Sequence, residues 1–262
     1  MNILVCVKQV PDTEEIKIDP ITGSLIREGV AAILNPLDAC ALEAAVRLKE
    51  AYGGKVTVLS MGPPQAKEAL KQCVAVGADE AVLITDRAFK DADTLATSYA
   101  LSMTAKQLGE FDVIVCGKHT LDGETGQVGP QIAEHMDWSQ VTHVMDMKVE
   151  EGKLVAVREM EDGREVVEAT LPCVASVTKA SYTPRYPTIK SKLAAGKKEI
   201  LTLSADEIKN LDKERIGMSG SRTKVAKSFS APTGQAGMVI QEETGEATGR
   251  KLARILHEAK LV

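Results

Sequence analysis

Short apolar runs alternate with helix-patterned segments through the first 138 residues, and this alternation limits the possible folds more than any other feature of the chain. Four such runs have the length and composition of buried strands, at residues 3–8, 55–60, 80–85 and 111–116. Successive strands that are separated by helices pair in parallel through right-handed crossovers. We therefore predict a layered α/β fold with a mostly parallel sheet.

The helices between these strands are indicated by their start and stop signals. Asn35 followed by Pro36 predicts a helix start, because Asn caps exposed N–H groups and Pro suits the first helical position. Apolar residues then recur at helical spacing until Gly53. Further helices are predicted up to residue 76, at 91–108 and at 131–138. Before the first helix, residues 19–23 predict a small hairpin.

The pattern changes after residue 140. Apolar runs separated by turn residues predict strands that extend the sheet antiparallel at an edge, at residues 141–144, 154–158, 164–168 and 173–177. The Pro- and Lys-rich segment that follows is predicted to be exposed and partly extended, and it is either a solvated linker or a docking surface. We place a domain boundary at 205/206, so that residues 206–262 form an extended C-terminal arm that ends in an amphipathic helix at 249–260.

A glycine-rich segment at 117–130 lies between the fourth strand and the next helix. Its bare backbone can approach a phosphate closely, and the N-terminus of the helix favours an anion. Asp122 and Glu124 suit ribose hydroxyls better than phosphate. The segment matches neither G-x-G-x-x-G nor G-x-x-x-x-G-K-[ST]. It is interpreted as an unusual nucleotide-binding loop, and the alternative is a simple helix-capping turn.

Composition excludes several classes of protein. The chain has 262 residues and a net charge of −5, whereas a general nucleic-acid binder is basic. It has no apolar run near the length needed to span a bilayer, and we expect neither a signal peptide nor membrane insertion. Its five cysteines are scattered and its four histidines lack metal-ligand spacing, which predicts a cytoplasmic protein without a metal site.

Several short motifs, taken in their order along the whole chain, resemble the β (small) subunit of electron transfer flavoproteins. The residues that carry this resemblance are Val5 to Asp12, Asn35 to Asp38 with Glu43 to Ala45, Met61 to Pro63, Gly77 to Asp79, Ala92 to Thr97, the 117–130 loop, and Arg158-Glu159, Asp162-Gly163 and Leu171 to Val174. The resemblance implies a sheet of the adenine-nucleotide α-hydrolase-like type. It also implies a heterodimer with a larger α subunit. The C-terminal arm is expected to clasp that subunit, and the alternative is that it folds back on the core of its own chain.

In this family the usual flavin belongs to the α subunit, and the β subunit binds an adenine nucleotide. The resemblance therefore implies either structural AMP, as in simple electron carriers, or a second FAD, as in the electron-bifurcating branch. In that branch NADH is the hydride donor, and the electrons go to ferredoxin or flavodoxin and to a flavoprotein dehydrogenase or reductase of the acyl-CoA or lactate type. Gly123 and Gly126 leave room in the loop and favour FAD, although Gly126 stands where bifurcating relatives often have Ala.

We predict no catalytic side chain, because the flavin carries the redox chemistry. In the predicted site, Cys6 forms an inert wall, Asn35 and Asp122 bond ribose or adenine, Thr94 and Thr97 donate hydroxyl groups, and the backbone from Gly123 to Val128 holds a diphosphate. The complete candidate set for the cofactor is Cys6, Lys8, Asn35, Pro36, Leu37, Asp38, Met61, Asp93, Thr94, Thr97, Asp122, Gly123, Glu124, Thr125, Gly126, Gln127, Val128 and Gly129.

The resemblance also implies a recognition loop at 182–198 that docks on the partner dehydrogenase. Its candidate contacts are Arg185, Thr188, Ile189, Lys190 and Leu193. Two alternatives from other classes remain: an adenine-nucleotide sensor of the universal stress type, and a hydrolase of the related fold. The first leaves the hairpins, the loop and the arm unexplained, and the second lacks catalytic residues in the glycine-rich loop beyond Lys118 and His119.

Overall fold

The computed structural model describes residues 1–12, 17–18, 25–26, 31–179, 181–226 and 237–262. The chain divides into two compact units, Met1–Lys227 and Ser228–Val262. The first unit thus includes residues 206–226, which the sequence analysis assigned to the arm. The turn predicted at 19–23 lies outside the described residues, although Lys17–Ile18 and Leu25–Ile26 on either side pair antiparallel.

Nine strands of the described residues form one sheet, in the order β11-β10-β9-β12-β8-β1-β6-β7-β13. Two short antiparallel ribbons, β2–β5 and β3–β4, lie outside it. The strands are β1 (Asn2–Cys6), β2 (Gln9–Pro11), β3 (Lys17–Ile18), β4 (Leu25–Ile26), β5 (Ala32–Leu34), β6 (Lys55–Met61), β7 (Glu80–Ile84), β8 (Val113–Gly117), β9 (Ser139–Glu150), β10 (Lys153–Glu159), β11 (Arg164–Thr170), β12 (Cys173–Val177) and β13 (Leu201–Leu203).

Helices cover both faces of this sheet, which confirms the predicted layered α/β class. No helix in the described ranges is long and apolar enough to cross a membrane. The helices are α1 (Pro36–Tyr52), α2 (Lys67–Ala75), α3 (Thr94–Leu108), α4 (Val128–Met136), α5 (Ile189–Lys197), α6 (Gly217–Gly220) and α7 (Gly245–Glu258), of which α7 belongs to the second unit.

The core has two layers, because successive side chains of a strand point to opposite faces of the sheet. On one face, Val5 of β1 packs with Leu42 of α1 and Leu70 of α2. On the other face, Leu4 of β1 packs with residues of α3 and α4, including Ile132. Each helix pair therefore covers one face of the central strands.

The position of β12 corrects the sequence analysis, which placed this strand with the antiparallel edge strands. β12 lies inside the sheet and pairs in parallel with both β8 and β9. Within the nine-stranded sheet, the antiparallel pairs are those of β10 with its two neighbours, β9 and β11. All five residues of β12 are buried. The continuous run of small and apolar residues, without alternation, is the pattern of a strand covered on both faces.

The strand order reverses direction at β1. From β1 the chain proceeds to β6 and β7 on one side, and it then returns to β8 on the other side of β1. In open α/β sheets, ligands bind at such a switch point, in the crevice beyond the carboxyl ends of the strands. The residues that follow β1 and β8 therefore mark the expected site, and the segment after β8 is the glycine-rich loop.

The region after β12 also differs from its prediction in part. Residues 182–188 are irregular, but α5 follows as a helix that the Pro- and Lys-rich composition did not predict. Thr188 accepts a hydrogen bond from the Ser191 N–H and forms a capping box with that residue. β13 then adds a parallel strand beside β7. Ile208 and Ile216 are buried in the core of the first unit.

Candidate functional site

The side chain of Asp38 connects the start of the glycine-rich loop to the end of β1. Asp38, in the first turn of α1, accepts a hydrogen bond from the Lys8 N–H at 2.7 Å and from the Gly117 N–H at 3.2 Å. Lys8 follows β1 and Gly117 ends β8, so Asp38 lies at the switch point of the sheet. Asp38 is buried. A Cβ on Gly117 would lie 2.4 Å from Asp38 Oδ1, so this close approach requires glycine.

Burial raises the pKa of Asp38 to about 7, and the hydrogen bonds from Asn35, Lys8 and Gly117 only partly oppose this effect. A buried carboxylate loses its hydration, and its charged form is therefore disfavoured. The group that anchors the loop consequently changes its protonation state near neutral pH.

Asn35 shapes the loop in a way that its predicted role did not include. Its Nδ2 donates to the His119 carbonyl at 2.9 Å, and its Oδ1 accepts from the Leu121 N–H at 3.2 Å. Asn35 is fully buried, and its side chain does not cap α1. The predicted capping bond is therefore wrong. A buried amide whose two ends both bind the loop backbone acts as a template for its conformation.

Lys8, which follows β1, and Asp122 of the glycine-rich loop form a bidentate ion pair. Lys8 Nζ lies 2.8 and 2.7 Å from the two carboxylate oxygens of Asp122. Burial acts to raise the pKa of Asp122, but the hydrogen bonds and charge of Lys8 outweigh it and hold this pKa below its usual value. Asp122 is thus charged and held in place by Lys8, and its carboxylate can accept further hydrogen bonds.

The end of the loop presents a row of free backbone donors. The N–H groups of Gly123 and Glu124 close a turn on the Thr120 carbonyl. By contrast, the N–H groups of 125–129 have no acceptor within the described part of the chain. Gln127, at the N-cap of α4, makes no side-chain cap, and its Oε1 instead accepts from Thr94 Oγ1 at 2.9 Å. The N-terminus of α4 is therefore able to bind an anion.

Two glycines of the loop differ in what limits them. Gly126 has φ +66°, in the left-handed region that disfavours other residues, yet a Cβ there would meet nothing closer than the Lys118 carbonyl at 3.5 Å. At Gly129 a Cβ would lie 2.7 Å from Cys116 Sγ. Gly129 thus allows the first turn of α4 to pack directly against the sheet.

The neighbouring helix α3 differs from α4 because its N-terminus is already capped. Asp93 Oδ1 accepts from the Ala96 N–H at 3.1 Å, and its Oδ2 accepts from the N–H groups of Arg222 and Thr223 at 2.6 and 2.9 Å. These bonds occupy the side chain of Asp93, whereas Thr94 reaches the loop through Gln127. Thr97 is partly exposed one turn further along the same helix.

The remaining candidates for the cofactor lie at the same edge of the sheet. Cys6 is buried, and burial together with Asp38 raises the pKa of its thiol to about 12, which fits an inert wall. It pairs in register with Cys116 on β8. Met61 ends β6, and Pro36 and Leu37 open α1 beside Asp38. The structure therefore brings the predicted residues to one edge of the sheet.

The candidate docking residues lie in two settings. Ile189 and Leu193 are exposed by 82% and 67% on α5, one helical turn apart, and Lys190 is exposed beside them. Arg185 instead bonds inward, to Glu43 at 2.7 Å and to Glu50 at 2.6 Å, both on α1. Arg185 therefore fixes the segment to the core, and Thr188 caps the helix.

Sequence reasoning missed the segment at 221–223. Its backbone and hydroxyl groups bind Asp93 and the start of α3, and Ser221 Oγ accepts from the Asp93 N–H at 2.8 Å. These contacts join residues about half the chain apart. The segment lacks periodicity, and no local signal predicts its partner.

Comparison with known proteins is consistent with this geometry. The family model described as "Electron transfer flavoprotein domain" matches residues 22–208, more than half of the chain. The chain is 48% identical over 256 residues to "Electron transfer flavoprotein subunit beta" of Thermoanaerobacterium thermosaccharolyticum, covering 97% of this chain and 98% of that one.

Two further relatives match nearly the whole chain. "Caffeyl-CoA reductase-Etf complex subunit CarD" of Acetobacterium woodii is 45% identical over 263 residues, with all of both chains covered. "Protein FixA" of Sinorhizobium fredii is 39% identical over 263 residues, covering 98% of this chain and 92% of that one. These matches confirm the resemblance drawn from the sequence motifs. The chain belongs to the electron transfer flavoprotein family, in which it corresponds to subunit beta.

Proposed function

We propose that this chain binds FAD at the 117–130 loop, as the β subunit of an electron-bifurcating electron transfer flavoprotein. The observation that carries the proposal is the row of free N–H groups at 125–129, at an uncapped helix N-terminus and at the switch point of the sheet. Anions bind at such termini because the N–H groups and the helix dipole both favour negative charge.

The residues present fit a dinucleotide. The donors of 125–129 would hold the diphosphate, and Asp122 would accept from ribose hydroxyl groups. Cys6 and Met61 would form the wall of the crevice. Asp38 and Asn35 would keep the loop in shape, since their polar atoms already bind its backbone. When bound, FAD supplies hydride acceptance from NADH and the transfer of single electrons. In this proposal the chain itself binds and orients the FAD and shields it from water.

The relatives support the bifurcating branch over simple electron transfer. One of them is named as part of a caffeyl-CoA reductase-Etf complex, which joins an electron transfer flavoprotein to a CoA-thioester reductase. We infer that the present chain likewise pairs with an α subunit. In this proposal the electrons then pass to a dehydrogenase or reductase that docks on α5, and to ferredoxin or flavodoxin.

The alternative is structural AMP in the same crevice, because the same donors would hold a single phosphate. Five successive donors favour the longer diphosphate. The two are distinguished by the nucleotides that the purified heterodimer releases on denaturation: two FAD in the first case, one FAD and one AMP in the second. Release of no adenine nucleotide beyond the FAD of the α subunit would overturn the proposed site.

The assignment to the loop is tested by a matched pair of glycine substitutions. Gly123→Val and Gly163→Val both add a side chain at an exposed glycine outside the left-handed region. Gly163 lies in the β10–β11 turn with nothing within 4 Å of its Cβ, whereas Gly123 lies in the loop, where the added side chain would crowd a bound diphosphate. Only Gly123→Val is expected to lower occupancy of the β-subunit nucleotide. Equal occupancy in the two variants would contradict the placement.

A further inference from the structure

A groove on the first unit lies between α2, α5 and β13, away from the crevice. It has a volume of about 530 Å³, and its lining includes Lys67, Lys71, Lys198, Leu201 and Thr202. Gly196, near the end of α5, also lines it. α2 and α5 pack together, and β13 pairs with β7, so the groove is formed by well-packed elements rather than by a single surface loop.

The charge around this groove is opposite to that of the whole chain. Residues 67–75 and 189–199 contain six lysines and two glutamates, a local excess of four positive charges, whereas the full chain has a net charge of −5. Within the described part of the chain, Lys71 pairs with Glu68, and the other five lysines form no salt bridge. Those five are Lys67, Lys190, Lys192, Lys197 and Lys198.

Exposed apolar side chains adjoin this basic region. Ile189 and Leu193 lie on α5, and Leu201, 49% exposed, opens β13. A rise of 1.5 Å per residue places Ile189 about 10 Å along α5 from Gly196, where the groove begins. The groove and the candidate docking side chains are thus parts of one continuous surface. Apolar anchors with a charged surround are typical of protein interfaces.

We propose that this groove binds an acidic surface segment of the dehydrogenase or reductase that docks on Ile189. The inference rests on the proposed function, because it assigns chemistry to the partner of that docking helix. The unpaired lysines lie on α2 and along or just after α5, which carries two of the apolar anchors, so their charge acts on a partner before contact and orients it. An open groove rimmed by aliphatic side chains suits a protein segment rather than a free anion.

The experiment uses the heterodimer and the dehydrogenase that co-purifies with it. The variant Lys67→Gln/Lys71→Gln/Lys198→Gln removes three charges from the groove. The control Lys148→Gln/Lys153→Gln/Lys209→Gln removes three from elsewhere. We measure kcat/KM for electron delivery to the dehydrogenase over a range of NaCl concentrations, and flavin content confirms that each variant is folded.

For the groove variant we expect roughly a tenfold loss of kcat/KM at low salt and a flatter salt dependence, since rim charges act mainly on association. The control variant should have the kcat/KM and the salt dependence of the wild type. Carbodiimide cross-linking of the wild-type complex should join Lys67, Lys71 or Lys198 to carboxylates of the dehydrogenase. An unchanged salt dependence in the groove variant, or an equal loss in the control, would overturn the inference.

The two proposals fail in different ways. If Ile189→Glu slows electron delivery while the groove variant does not, docking on α5 stands and the acidic partner segment is rejected. If the wild-type heterodimer delivers no electrons to any co-purified flavoprotein, the proposed function itself is rejected.

Discussion

Replacing Asp38 by Asn should remove the contribution of this carboxyl group to the pH dependence of the free energy of unfolding. Burial raises the pKa of Asp38 to about 7, from an ordinary value of 3.8. A carboxyl group whose folded pKa lies above its unfolded pKa binds more protons in the folded state between those values. The contribution of this group to the free energy of unfolding is therefore highest below about pH 4, and this contribution is lost as the pH rises to about 7.

The size of this effect follows from the two pKa values. Each pKa unit corresponds to about 1.4 kcal/mol, so the difference between the two pKa values changes the free energy of unfolding by about 4 kcal/mol. For a protein of this size, 1 kcal/mol shifts the unfolding midpoint by about 2–4 °C. We therefore expect the wild-type midpoint to fall by roughly 8–16 °C between acidic and mildly alkaline pH, relative to the variant.

The assay is thermal unfolding of the heterodimer over that pH range, with the curve of the Asp38→Asn variant subtracted so that other titrating groups cancel. The amide accepts only one of the two N–H bonds from Lys8 and Gly117, so the variant is less stable at low pH by about 1–3 kcal/mol. Asp112→Asn is the control, because its carboxylate accepts the Asn2 N–H at 2.7 Å at the opposite edge of the sheet. Parallel pH curves for wild type and Asp38→Asn would refute the reasoning.

Three other substitutions test the packing of the loop helix, the attachment of the 182–198 segment and the role of Ile189. Gly129→Ala should cost about 1–3 kcal/mol, because its Cβ would lie 2.7 Å from Cys116 Sγ, and Cys116→Ala in the same chain should restore the unfolding midpoint. Arg185→Ala should cost about 1–3 kcal/mol by leaving the buried carboxylate of Glu43 with fewer partners, as measured by the unfolding midpoint at neutral pH. Ile189→Glu should preserve flavin content but slow electron delivery by about 30-fold, and an unchanged rate would exclude its role as an anchor.

The central sheet and the position of the loop were predictable because their signals are local. Apolar runs and helical spacing depend on neighbouring residues, and parallel pairing then brings the carboxyl ends of the strands to one edge. The helix at α4 was placed three residues late, because Val128 to Pro130 precede its periodic part. The strand β12 was placed at an edge, although its unbroken apolar run favours an interior position.

The roles of Asn35 and Asp93 were less predictable, since each depends on a partner distant in the sequence. Asn35 has the local pattern of a cap, yet a buried site facing the loop gives its amide two stronger partners. Asp93 does cap α3, but its second oxygen binds a segment that lies about 130 residues later. The local sequence identifies such residues as candidate helix caps, and only the tertiary fold shows which groups their side chains bind.

Helix α1 joins the glycine-rich loop to the segment at 182–198. Its first turn carries Asp38, which anchors the loop, and Glu43 and Glu50 further along bind Arg185. Asp38 and Glu50 are separated by 12 residues, about 18 Å along a helix axis. One helix thus sets the spacing between the loop and this segment. Loosening the docking end with Glu50→Gln should therefore leave nucleotide occupancy unchanged, because the contacts of the loop depend on the first turn of α1 and not on the last.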